Sequence, residues 1–99
     1  MLASVGQALI AADVEGKVTY WNHIAEDMFG LSADEAIGLS LLEAAPNDKT
    51  PEELGNIMGK LMEGKVWTGV CRFLGKNGQA FPGRLQDSPV LNEEGQFIG

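Results

Sequence analysis

Asp13-Val14-Glu15-Gly16-Lys17-Val18-Thr19-Tyr20-Trp21-Asn22 holds a turn, a strand and the start of a helix in one short stretch. The Asp13 side chain suits a turn because it can bond backbone N–H groups just ahead of it, and Gly16 supplies the positive φ that closes one. Lys17 to Trp21 is β-branched and aromatic, and the short apolar run Leu9-Ile10-Ala11-Ala12 precedes the turn. Two short strands around an acidic, glycine-containing turn predict a hairpin. Asn22 then offers a side-chain cap to the free N–H groups of a following helix.

Outward from that stretch, Ile24, Ala25, Met28 and Phe29 recur at helical spacing, and Gly30 stops the helix. Ser32-Ala33-Asp34-Glu35 has the form of a capping box, and Gly38 ends a second short helix. Ser40 to Ala44 adds a further turn before Pro46. Gly30 and Gly38 suit the left-handed conformation common at helix ends.

The longest helix is announced by Thr50-Pro51-Glu52-Glu53, a cap, a proline at the first position and a glutamate at the third. Leu54, Ile57, Met58, Leu61 and Met62 form its apolar stripe and Gly64 its stop. Gly55 and Gly59 clear one helical face at about 1 kcal/mol each relative to alanine. That clearance serves either close packing on the sheet or a ligand. Beyond Gly64 the pattern is strand: Val66 to Leu74 and Gln79 to Leu91 flank the turn Lys76-Asn77-Gly78, Asn92-Glu93-Glu94-Gly95 is another turn, and a last strand begins at Gln96. The fold class is therefore α+β with a mainly antiparallel sheet.

Composition narrows the function. The chain has 99 residues, 44% hydrophobic and 21% charged, which suits one folded domain. Its net charge of −7 repels phosphate backbones and anionic lipid, so neither nucleic acid nor membrane is an expected partner. A lone cysteine, Cys71, fits a reducing, cytoplasmic location. No nucleophile motif, phosphate loop or metal-ligand spacing is present, so no catalytic or metal-binding residue is expected and the chain is not read as an enzyme.

In order along the chain, Asp13-x-x-Gly16, YWN at 20–22, Ala25-Glu26, Phe29-Gly30 and Glu35-Ala36-Ile37-Gly38 resemble the N-terminal half of a PAS sensory domain. Gly64-x-x-Trp67-x-Gly69, Lys76-Asn77-Gly78, Ser88-Pro89-Val90, Glu94-Gly95 and Ile98-Gly99 resemble its C-terminal half. The match runs from 8 to 99, within a single domain spanning 1–99, and leaves 1–7 as a remnant of an N-terminal cap. Asp13, Gly16, Asn22, Gly30, Gly38 and Trp67 are the structural motif positions.

The resemblance implies the PAS fold, an antiparallel sheet in order 2-1-5-4-3 with helices on one face. It also implies that the last, central strand is truncated and that the chain is a fragment of a longer signalling protein. Family ligands sit between the sheet and the longest helix. Strand alternation then places Cys71, Phe73, Phe81, Gly83 and Leu85 in that pocket, with Met58 and Met62 from the helix. Arg72, Arg84 and Gln86 fall on the opposite face of the sheet. The function implied is sensing: a small apolar ligand bound in the core regulates an effector domain of the same parent chain, such as a histidine kinase of a two-component system, a diguanylate cyclase, a phosphatase or a transcription regulator. The alternatives are a ligand-free module for homodimerisation and signal relay, and an FAD-binding redox sensor.

The family's cofactors can be set against these residues. Haem-binding members carry a histidine on the longest helix, whereas His23 sits at the start of the first short one. Light-oxygen-voltage (LOV) members hold FMN beside a cysteine near the position of Leu41; Cys71-Arg72-Phe73-Leu74 lies far later. Neither haem nor LOV-type FMN photochemistry is expected, and Cys71 reads as a small apolar side chain. FAD-binding members carry a tryptophan on the longest helix where this chain has Met58, so the protein is expected to purify without a bound cofactor.

Overall fold

Residues 7–75 and 77–99 are described by the computed structural model. Lys76 of the predicted turn, and 1–6 of the predicted cap remnant, lie outside the described residues.

The opening hairpin forms as its residues require. Strand β1 (Ile10–Ala12) pairs antiparallel with β2 (Val18–Trp21), with an irregularity between Ala11 and Ala12. Asp13 Oδ1 accepts from the backbone N–H groups of Glu15 and Lys17 at 2.9 and 3.0 Å. Gly16 at φ 79° closes the turn. Four helices follow: α1 (His23–Phe29), α2 (Ala33–Ala36), α3 (Leu41–Ala44) and α4 (Pro51–Met62). Asn22, Ser32, Ser40 and Thr50 cap them, and the Ser32–Glu35 and Thr50–Glu53 pairs are reciprocal capping boxes.

Strands β3 (Trp67–Leu74) and β4 (Ala80–Asp87) form an eight-rung antiparallel ladder from Trp67↔Asp87 to Leu74↔Ala80. The strand expected over 79–91 thus stops at Asp87. Pro89 has no N–H to continue a ladder, and Val90 turns away to bond Gly99 O at 2.7 Å. The expected last strand at Gln96 is, among the described residues, one arm of a small hairpin: Asn92 N–H bonds Gln96 O at 2.9 Å, and Leu91 bridges Phe97.

The pairings β2–β1 and β4–β3 of the expected order are present, as two separate two-stranded sheets. No strand among the described residues joins β1 to β4. Terminal Gly99 lies against the backbone of Ala12 at the end of β1.

The two outer edges are sealed by irregular segments. Along β2, Val18 N–H bonds Leu39 O, Gly38 N–H bonds Val18 O and Leu41 N–H bonds Gly16 O, all at 2.8–2.9 Å. Along β3, Leu74 N–H bonds Pro46 O and Asp48 N–H bonds Arg72 O, both at 3.0 Å. Asp48 Oδ1 takes Arg72 N–H at 3.1 Å, and Lys49 Nζ reaches Val70 O at 3.2 Å. Sealed edges do not template unwanted pairing. The core between sheets and helices is formed by Val18, Trp21, Ala25, Phe29, Ala36, Ala44, Ala45, Cys71 and Phe73.

Candidate functional site

Alternation along the β3–β4 hairpin turns Cys71, Phe73, Phe81, Gly83 and Leu85 toward the helices, and leaves Arg72, Arg84 and Gln86 exposed on the other face. Cys71 faces Gly83 and Phe73 faces Phe81 across the ladder. Phe29 of α1 comes down on this pair, with ring centroids 5.6 Å from Phe73 and 6.0 Å from Phe81, and Trp21 continues the cluster at 5.5 Å from Phe29. These spacings are those of favourable tilted and edge-on aromatic pairs. Four rings therefore occupy the space above the turn-side half of the hairpin. Gly83 is required beneath them, because a Cβ there would stand 2.9 Å from the Phe73 ring.

Met58 and Met62 are placed differently from the expectation: they are 41% and 64% exposed. Only Ile57 of α4 is buried, with Leu54 and Leu61 half-buried beside it. The inward stripe is narrow because, among the strands, the helix rests mainly on β3. The sequence stripe merged two faces about 100° apart on the helix. Gly55 and Gly59 lie away from the sheet, with no atom within 4 Å of where their Cβ atoms would be, so close packing on the sheet does not explain them.

Where α4 meets the start of β3, a cleft of about 160 Å³ is lined by Lys49, Glu53, Asn56, Ile57 and Trp67. Trp67 folds over Gly69, whose missing Cβ makes the room. Lys49 Nζ stands 5.2 Å from the Trp67 ring centroid and 3.8 Å from Glu53 Oε2, with its side chain only 14% exposed. The capping hydrogen bond from Thr50 N–H holds the Glu53 carboxyl below its ordinary range, so it is ionised at neutral pH. Cross-strand from Trp67, Asp87 is pushed up by burial. Burial likewise raises the Cys71 thiol, which stays protonated and unreactive at neutral pH.

The motif residues act on the backbone. Asn22 Oδ1 accepts from Ala25 N–H and Leu9 N–H, both at 3.0 Å, and its Nδ2 donates to Gln7 O at 2.9 Å. Gly30 and Gly38 adopt φ 74° and 95°. Lys49, Glu53, Asn56, Trp21 and Phe29 were not among the expected site residues. Trp21 and Phe29 were legible as apolar positions, whereas Lys49 comes from a loop whose path no periodicity reveals.

The PAS fold family model matches residues 1–99, the whole chain. The chain belongs to the PAS family. A PAS domain from Colwellia psychrerythraea is 26% identical with a TM-score of 0.75, over 96% of this chain and 80% of that one. An RNA-binding light-oxygen-voltage receptor is 26% identical with a TM-score of 0.81; 95% of this chain is covered, and it spans 28% of the receptor's length. Among curated proteins none matches. Within this PAS domain no described helix is long and apolar enough to cross a membrane.

Proposed function

We propose that this PAS domain is a cytoplasmic sensory module of a longer signalling protein. In this reading it takes a small ligand with an apolar body where α4 meets β3, and regulates an effector domain by moving α4; it binds rather than catalyses. The attachment of α4 supports this reading. A twelve-residue helix is held by one buried side chain, Ile57, and two half-buried ones, Leu54 and Leu61, above a cleft that its own first turns help to line. Elements with few buried contacts open at low free energy, so small ligands can shift them. Hydrogen exchange tests this. The α4 amides should exchange faster than those of β3 and β4 in the free chain, and slow when a ligand recovered by mass spectrometry of an organic extract is added back. Exchange in α4 as slow as in the hairpin would sink the reading.

A second reading is a ligand-free module that dimerises and relays. The exposure of Val70 and Leu74 on the outer face of the β3–β4 hairpin favours it. An FAD-binding redox sensor fits less well. Two clefts among the described residues hold about 160 and 200 Å³, room for a small molecule but not for a flavin dinucleotide. The space over Phe73 and Phe81 is filled by Phe29. RNA binding, named for the light-oxygen-voltage receptor, is not carried over to a chain of net charge −7.

A further inference from the structure

The wall of the α4–β3 cleft carries one cation and one anion side by side, and neither is fully used. The Lys49 ammonium has three N–H groups. It donates one to Val70 O and lies over the Trp67 ring, while Glu53 Oε2, at 3.8 Å, is beyond hydrogen-bond distance. Glu53 spends its other oxygen on Thr50 N–H. The Asn56 amide and the Trp67 indole N–H have no hydrogen-bond partner among the described residues, whereas the indole N–H of Trp21 bonds Leu31 O at 3.0 Å. Ile57 supplies an apolar floor. A purely anionic ligand would meet Glu53, and a purely cationic one would leave Lys49, whose side chain is 14% exposed, facing a like charge. A zwitterion offers both signs one carbon apart.

We propose that this cleft binds a free α-amino acid with a small apolar side chain. Its carboxylate would pair with Lys49, its ammonium with Glu53, and its side chain would lie between Ile57 and Trp67. The inference rests on the sensory reading above and names the ligand class for that site. A cleft of about 160 Å³, open on one side, suits a ligand with few heavy atoms.

L-valine is the probe. Titrated into the full chain and followed by ¹⁵N NMR, it should shift the Trp67 indole N–H saturably and leave that of Trp21 in place. N-acetyl-L-valine and L-valinamide, each lacking one charge, should bind at least about tenfold more weakly, which is about 1.4 kcal/mol. K49M and E53Q should each weaken valine by a similar factor; glutamine at position 53 keeps the capping box, so the E53Q fold is preserved. No Trp67 shift with millimolar valine, or equal binding of valine and its blocked analogues, overturns the proposal without needing any variant. If another compound is recovered from the purified chain and slows α4 exchange while valine does nothing, the ligand class is wrong and the sensory reading stands.

Discussion

At the scale of single residues, the sequence spoke most clearly where a side chain serves its own backbone. Asp13, Gly16, Asn22, Ser32 and Thr50 sit at the turns and caps their types predict, because such interactions span only a few residues. Asn22 does more than cap. It also holds Leu9 and Gln7, joining the start of the chain to the corner between β2 and α1. Asn22→Ala should cost about 0.5–2 kcal/mol, toward the upper end, read from chemical denaturation; an unchanged midpoint would mean water replaces all three bonds. Asp87 was not legible, since its environment is made by tertiary packing. Burial raises its pKa, so the folded state holds the proton more tightly than the unfolded one. That contribution to stability is present at low pH and lost as pH rises through the folded pKa. Asp87→Asn should therefore melt above wild type at pH 7, and the gap should close below the ordinary aspartate value of about 3.9. Glu35 and Glu53, both lowered by their caps, act in the opposite direction but are common to both proteins and cancel in the comparison. A gap constant from pH 3 to 8 would assign the effect to packing instead.

At the scale of elements, boundaries of helices were readable because caps are local, while the facing of α4 was not. Five apolar positions looked like one stripe, yet Leu54, Ile57 and Leu61 face in while Met58 and Met62 face out. Which of two adjacent stripes meets the sheet depends on where the helix lies, and no local pattern states that. The outer side holds Gly55, Met58, Gly59 and Met62 at spacing i, i+3, i+4, i+7. The double substitution Gly55→Ala, Gly59→Ala tests whether that side is free. With open space at both Cβ positions, it should raise stability by about 2 kcal/mol, the sum of two propensity gains. A net loss in thermal unfolding would show that something in solution approaches both glycines closely.

At the scale of the whole molecule, the two hairpins and their pairing partners were foreseeable, but the sealing of their outer edges was not. Segments 38–41 and 46–49 seal those edges through backbone bonds, joined at Asp48 and Lys49 by side-chain bonds, between residues far apart in sequence. The inner edges of β1 and β4 differ, having no strand partner among the described residues. Pro82 bears on this. Its ladder partner Arg72 gives its N–H to Asp48 Oδ1 and its carbonyl to Asp48 N–H, so Arg72 and Pro82 exchange no bonds. Antiparallel alternation then points the backbone groups of Pro82 toward the open edge of β4, where its missing N–H removes a donor. Proline on an exposed edge limits pairing with other chains. Pro82→Val restores the donor, raises β propensity and leaves the β3–β4 bonds intact. The variant should sediment with a larger, concentration-dependent associated fraction than wild type, at equal or higher hairpin stability. If it stays as monomeric as wild type at the highest soluble concentration, the β4 edge is covered in solution. The segment ending at Gly99, already beside Ala12, would then be the first place to look for that cover.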